Sequence, residues 1–293
     1  MRIWRPVITG FQAIIVLVLA VGASVIGAAT LPGGAWWGLL PAVVGIALLA
    51  RKPLRRWRVA RRTFPQERCD WLADRVPFYA QLGESERRRF ERDVQFFLSE
   101  QRFEGVKGAS LTDELRLSVA AGAALLLHGR PDWEWPTRRT ILVYPDRFDD
   151  TYHESAFASL DGMIHAQGPI IFSKKAIEKS WSDAHDGDNV VLHEMAHVFD
   201  TLREGASGTP SFLNPRSAES WRGIVQEEME KASRGSSLLR PYAASSPGEL
   251  FAVAVENFFE KPGALADRHS ELYEALSAFF NLDPRPVEEG MDV

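Results

Sequence analysis

Two histidines and a glutamate lie within five residues of one another in an apolar stretch of the chain, "DNVVLHEMAHVFDT". They are His193, Glu194 and His197. In a helix, positions four apart lie on the same face, so both imidazoles can reach a single ion. Glu194 would lie beside that ion, where it can take a proton from bound water. The pattern predicts a zinc-binding helix; two partly buried histidines with ordinary hydrogen bonds are the alternative.

A catalytic zinc ion commonly has three protein ligands and one open position, so this pattern needs a third ligand. Nearby positions do not supply one. Asp200 and Arg203 exclude the metzincin spacing, and Arg216 and Ser217 exclude the short-spaced glutamate. A more distant ligand is required, and the best candidate segment is "PYAASSPGELFAVAVENFFE", residues 241–260.

Two stretches, "VVLHEMAHVFDT" and "YAASSPGELFAVAVENFF", closely resemble the Mlc titration factor A family of zinc peptidases. The resemblance continues upstream through "TILVYPDRF" and "HAQGPIIFS" and covers roughly residues 65–282. It implies a gluzincin metal site similar to that of the catalytic domain of anthrax lethal factor. One Zn²⁺ would be held by His193, His197 and Glu249. Glu194 would be the general base, and Tyr242 would steady the oxyanion.

Each of these roles has an ordinary structural alternative. Residues 246–249, "SPGE", are also a capping box, in which Glu249 would only cap a helix. Glu256 lies two turns further along the same face and could be the ligand instead, although we expect it to orient a zinc histidine from behind. Asp200 is expected to do likewise or to bond near its own helix end. Tyr242 could be an exposed loop residue.

The other titratable candidates lack a pattern that indicates chemistry. The one cysteine, Cys69, excludes an intramolecular disulfide and is not expected to be a nucleophile. The remaining histidines have no paired spacing and are predicted to be surface or hydrogen-bonded core residues: His128, His153, His165, His185 and His269.

The elements that must position the site are predicted from periodicity. Residues 84–105 form an amphipathic pattern, and residues 111–129 predict a buried helix with Thr112 as its N-cap. "RTILVYP" and "GPIIFS" read as strands, the second at a sheet edge because of Pro169. Asp186 or Asp188 is predicted to cap the zinc helix.

A long uncharged segment precedes this domain, from residue 6 to residue 50. As a helix it would measure about 67 Å, roughly two crossings of a hydrocarbon core. "LPGG" at 31–34 predicts a turn between spans at 7–30 and 35–50. A cleaved signal peptide and a single long tilted or re-entrant span are the alternatives.

Charge is divided unevenly along the chain. Nine of the 34 Lys and Arg residues, and none of the 39 Asp and Glu residues, lie in 1–62, so the remainder holds 25 basic and 39 acidic residues. The acidic remainder argues against a nucleic-acid partner. Cations flank both spans, which predicts that both ends face the cytoplasm. The basic stretch "RKPLRRWRVARR" would also lie against anionic headgroups.

The sequence therefore predicts an α+β, mainly helical chain: a membrane hairpin with a basic flank (1–62), a zincin-like peptidase domain with a small mixed sheet (63–282) and a flexible tail (283–293). We expect a zinc endo- or aminopeptidase in the inner (cytoplasmic) membrane, multi-pass, with its catalytic domain in the cytoplasm and a peptide or protein as substrate. The alternative is a regulatory binding protein that sequesters a transcriptional repressor, the partner that the family resemblance implies, with peptidase activity secondary.

Overall fold

The computed structural model describes residues 1–3, 6–30, 36, 39–135, 140–145, 169–200 and 215–286. It forms two compact units, Met1–Thr63 and Phe64–Val293. The predicted turn at 31–34 and most of the predicted tail lie outside the described residues. So do His153, His165 and Arg203, together with the side chains of Asp200, Arg216 and Ser217.

The first unit contains two helices in contact with each other, α1 (Pro6–Thr30) and α2 (Leu39–Ala60). The helices approach closely at Gly45, where a Cβ atom would lie 2.6 Å from the Val16 side chain. Within the described residues, one helical stretch, Gly10–Thr30, is long and apolar enough to cross a membrane. The large apolar side chains of both helices are mostly exposed.

The second predicted span does not meet the same criterion. Its apolar residues 39–50 form only the first half of α2, and the same helix continues into the basic stretch. At 1.5 Å per residue those twelve positions cover about 18 Å, which is shorter than a hydrocarbon core. The structure therefore supports one apolar span, and the hairpin stays a proposal.

The second unit is mainly helical, as predicted. Its helices are α3 (Gln66–Arg75), α4 (Pro77–Gln81), α5 (Glu84–Glu100), α6 (Asp113–Leu127), α7 (Lys174–Ser180), α8 (Val190–Asp200), α9 (Pro215–Ser233), α10 (Pro247–Glu260), α11 (Pro262–Arg268) and α12 (Ser270–Phe280). The predicted cap of α6 is confirmed, because the Thr112 hydroxyl accepts a hydrogen bond from the backbone N–H of Leu115 at 3.1 Å.

The described part of this unit also contains a sheet of three strands: β1 (Arg102–Gly105), β2 (Thr140–Tyr144) and β3 (Ile170–Ser173), in that spatial order. Both predicted strands are confirmed, and among the described strands β3 lies at the edge of the sheet, as Pro169 indicated. Residues 84–105, which the sequence predicts as one helical stretch, instead form the helix α5 followed by the strand β1. For the described strands the prediction of a mixed sheet is wrong, because both of their pairs are parallel. The connection from β1 to β2 includes α6, and a crossover of this kind brings the chain back in the same direction.

The core of the second unit is built around α8, which packs against both α6 and α10. Every residue of α10 from 248 to 260 is buried, including three glutamates. Near the C-terminal end of α8, Phe199 contacts the rings of Trp133, Trp135 and Phe279. The helix that carries His193 and His197 therefore packs against other elements on several of its sides.

Gly122 in α6 permits the close approach of α8, because a Cβ atom there would lie 2.6 Å from Val191 Cγ1. We expect Gly122→Ala to lower the free energy of unfolding by about 1–3 kcal/mol through overpacking. Gly223 in α9 is the matched control, since a Cβ atom there meets nothing within 4 Å. Gly223→Ala should raise the free energy of unfolding by up to about 1 kcal/mol. Denaturant titration of both variants checks this, and a Gly122→Ala protein as stable as the parent would contradict it.

Candidate metal centre

The helix α8 begins at Val190, and the side chain of the preceding residue, Asn189, caps it. Asn189 Oδ1 accepts a hydrogen bond from Leu192 N at 3.0 Å. Its Nδ2 donates to Ser180 O and to Glu260 Oε1, both at 2.9 Å. The prediction of Asp186 or Asp188 as the cap is wrong, because only the residue directly before Val190 reaches the free N–H groups of the first turn.

Three side chains from α8 and α10 converge on one point. His193 Nε2 lies 3.2 Å from His197 Nε2 and 2.9 Å from Glu249 Oε2. His197 Nε2 lies 3.5 Å from Glu249 Oε1. One nitrogen from each histidine and one oxygen from Glu249 therefore all lie within 4.8 Å of one another. Within the described ranges, this is the one group of three such residues that could hold a metal ion.

The start of α10 places Glu249 in this cluster. Ser246 is its N-cap, with its hydroxyl accepting from Glu249 N at 3.2 Å, and Pro247 is the first helical residue. The backbone of Glu249 thus takes part in the predicted cap. Its carboxylate, however, extends to the two imidazoles, so Glu249 is available as a metal ligand as well as taking part in the cap.

The ligand atoms of His193, His197 and Glu249 can bind a cation more favourably than they can hydrogen-bond to one another. His193 Nδ1 lies 2.7 Å from Glu256 Oε1, and a neutral imidazole that donates there presents a lone pair at Nε2. Glu249 Oε2 is buried and lies 2.9 Å from His193 Nε2, which in that tautomer has no proton to donate to it. Two imidazole nitrogens and a carboxylate oxygen are ligands that divalent transition metals accept. The residues present therefore fit a metal ion.

Both pKa shifts in the cluster indicate the same preference. Burial by itself lowers the pKa of His193, but its hydrogen bonds with Glu249 and Glu256 raise that pKa to about 10. Burial raises the pKa of Glu249, yet the hydrogen bonds with His193 and His197 hold it below its usual range. The surroundings thus favour positive charge between these nitrogen and oxygen atoms.

Behind His193 lies Glu256, a fully buried residue of α10. Its Oε1 atom faces His193 Nδ1 and accepts from Arg240 Nη2 at 2.7 Å, while Oε2 accepts from Asn189 N at 2.8 Å. The structure brings Glu256 where the sequence expects it. Sequence reasoning missed Arg240 and Asn189, because neither belongs to a spaced pattern.

Two further predicted site residues, Glu194 and Tyr242, are close to the cluster. Glu194 follows His193 on α8 and is half-buried. Tyr242 lies on a short 3-10 helix (Pro241–Ala244), with its ring centroid 6.1 Å from that of His193. Tyr242 is 38% exposed and is the one exposed large hydrophobic side chain in the described part of the second unit.

Other described histidines lie apart from the cluster. His128 is buried and its Nε2 lies 2.9 Å from Arg89 Nη2. His269 is buried against Glu228, with 2.5 Å between Nδ1 and Oε2. His185 is exposed, with Nδ1 3.4 Å from the Glu260 carbonyl oxygen. None of them belongs to a group of three ligating side chains within the described ranges.

Residues 51–281 match the family model described as glucose-regulated metallo-peptidase M90. The chain therefore belongs to this family of metallopeptidases, and a metal ion is implied. It is 30% identical over 231 residues to Mlc titration factor A of Escherichia coli, covering 71% of this chain and 84% of the relative. Mlc titration factor A of Salmonella arizonae is 29% identical over 244 residues, covering 74% and 93%. An uncharacterized protein of Synechocystis is 32% identical over 231 residues, covering 73% and 82%. The resemblance to the Mlc titration factor A family is confirmed.

The Asn189 cap is expected to be worth more than an ordinary cap. Asn189→Ala removes the cap and leaves Glu260 Oε1 without its amide donor, so the free energy of unfolding should fall by about 3 kcal/mol. Thr112→Ala removes the exposed cap of α6 and should cost only about 1 kcal/mol. Thermal or denaturant unfolding of both variants measures the difference. Equal losses would show that the buried contacts of Asn189 contribute nothing beyond capping.

Proposed function

We propose that this chain is a zinc peptidase in which His193, His197 and Glu249 bind one Zn²⁺. The convergence of their ligand atoms within 4.8 Å is the observation that carries the proposal. Two imidazoles and one carboxylate, with no fourth protein ligand among the described residues, make up the usual donor set of a catalytic rather than a structural zinc site. A bound zinc ion would supply Lewis acidity, which activates water and polarises the carbonyl of a peptide bond.

Glu194 acts as the general base in this proposal. It follows His193 directly on α8 and interacts electrostatically with it, which supports a carboxylate that faces the ion without being a ligand. It takes a proton from the attacking water and returns it to the leaving amine.

Tyr242 donates its hydroxyl proton as a hydrogen bond to the developing oxyanion. Its partial exposure and its ring position near His193 support this role, because a substrate can reach the residue.

Peptide would bind along β3, which contacts α8 and lies at the edge of the described sheet. Pairing through the backbone would give affinity with little sequence selectivity, and it suits an endopeptidase or an aminopeptidase.

Glu194→Gln should keep zinc and lose peptide cleavage by about a hundredfold or more, because an amide cannot accept the proton. Glu249→Ala should lose the metal itself. Zinc content per chain and the rate of peptide cleavage separate the two effects. Glu227→Gln is the control, since that exposed carboxylate on α9 pairs with Lys231 and does not belong to the group of ligand atoms. The general-base role is wrong if Glu194→Gln cleaves peptides as fast as the parent.

A second candidate function is capture of a protein partner, which the name Mlc titration factor A of the relatives favours. The partner would be a transcriptional regulator. Capture and hydrolysis respond differently to the same changes. Capture should survive both a chelator and Glu194→Gln, whereas hydrolysis should not. A pull-down with a candidate regulator, run alongside the cleavage assay, distinguishes them.

We further propose that the first unit anchors the chain in a membrane as a two-span hairpin, with both ends and residues 63–282, the peptidase domain, on the cytoplasmic side. The apolar α1, the exposed apolar side chains of α2 and the cations of its second half support this arrangement. Thr63→Cys in a Cys69→Ser background provides one reporter thiol. A membrane-impermeant reagent should label it only after permeabilisation, and labelling in intact spheroplasts would contradict the orientation.

A further inference from the structure

Arg240 connects the back of the metal cluster to the protein surface. Its Nη2 atom donates to Glu256 Oε1 at 2.7 Å and lies 3.3 Å from His193 Nδ1. Its Nη1 atom donates to Asp188 Oδ1. Asp188 is held in turn by Lys179 Nζ at 2.5 Å from Oδ2. The guanidinium therefore bridges a buried carboxylate and an exposed one.

Glu256 takes its orientation and its cationic partner from that bridge. It is fully buried, and three groups face its two oxygens: His193 Nδ1, Arg240 Nη2 and Asn189 N. A carboxylate only accepts hydrogen bonds, so it suits three donors. Of these, Arg240 is the permanent cation, and a buried carboxylate that loses its cation is costly to keep.

The same residue fixes the segment that carries Tyr242. Arg240 precedes the short 3-10 helix, and its carbonyl accepts the first hydrogen bond, from Ala243 N at 2.9 Å. Its guanidinium carbon lies 5.9 Å from the Tyr242 ring centroid. Because the Arg240 guanidinium contacts both Asp188 and Glu256, the backbone that leads into Tyr242 is also held against α8 and α10.

We propose that Arg240 is a positioning residue that sets the affinity of the metal site. By holding Glu256 against His193 Nδ1, it keeps the His193 Nε2 lone pair directed at the ion, and it also fixes the approach of Tyr242. This inference rests on the proposed function. Partners that orient a metal-binding histidine typically contribute 10- to 100-fold in metal affinity. The planar fork of arginine contacts two carboxylates at once, which a lysine ammonium does with less directional control.

The test uses the full chain and measures the dissociation constant for Zn²⁺ by competition with a chromogenic chelator. Arg240→Gln should weaken zinc binding about 10- to 100-fold, and Arg240→Lys should lie between it and the parent. Arg234→Gln is the matched control, because Arg234 pairs with Glu230 on the exposed surface of the same unit. Cleavage kinetics should show a fall in kcat larger than any rise in KM, since Tyr242 is displaced along with Glu256.

The possible results separate the two levels of the proposal. A parent chain that binds no zinc overturns the proposed function and this inference with it. A zinc-binding parent whose Arg240→Gln variant binds within about twofold of the same affinity overturns only the role of Arg240. If Arg240→Gln lowers the melting temperature and leaves the zinc affinity unchanged, the role of Arg240 is merely structural and the inference is also overturned. If Arg240→Gln does not fold, Arg240→Lys decides, and parental affinity in that variant overturns the inference.

Discussion

Three glutamates on a helix with no exposed residue between positions 248 and 260 impose the main constraint on this fold. A buried carboxylate is tolerated only when charge partners or hydrogen-bond donors surround it. α8 and the residues just before it supply those groups. Glu249 meets the two imidazoles, Glu256 meets His193 and Asn189 N, and Glu260 accepts from Asn189 Nδ2 and from Gly187 N at 2.9 Å. The metal cluster is one part of this larger pairing.

The pairing also sets the register of the two helices. Asn189, His193 and His197 are spaced by four, so they lie along one face of α8. They meet Glu260, Glu256 and Glu249 in that order, so the two helices run in opposite directions along their contact. A shift of either helix by one turn would separate every pair at once. Burial, together with the nearby charges of Asp186 and Glu256, raises the pKa of Glu260 to about 8, although the hydrogen bonds from Asn189 and Gly187 oppose that shift.

Much of this arrangement could be predicted from the sequence, where local spacing determines it. The four-residue spacing of the histidines, the cap at Ser246 and the two β-branched strands are local patterns, and the structure contains the corresponding elements. The direction of the strands could not be predicted in the same way, because an alternating pattern does not specify how a partner strand runs. Counting uncharged residues predicts a second span, but it does not show where α2 begins or that the same helix continues into the basic stretch.

Residues that act across long separations escaped prediction. Arg240 belongs to no motif, and its relation to Glu256 exists only once α10 has packed on α8. The sequence predicts Asp186 or Asp188 as the cap of α8, and only the position at which α8 begins shows that Asn189 is the capping residue. Glu249 was reached through a family resemblance, since a capping box by itself does not show where the carboxylate extends. The distance between His193 and Glu249 is therefore information that the structure adds.

The most direct measurement of the central claim is a crystal structure of the zinc-loaded chain with anomalous diffraction data collected at the zinc edge. We predict one peak, with His193 Nε2, His197 Nε2 and a Glu249 oxygen each at about 2.0–2.2 Å from it. A zinc peak at a different place in the chain, or no peak after loading with zinc, would contradict the claim that these three side chains form the metal site.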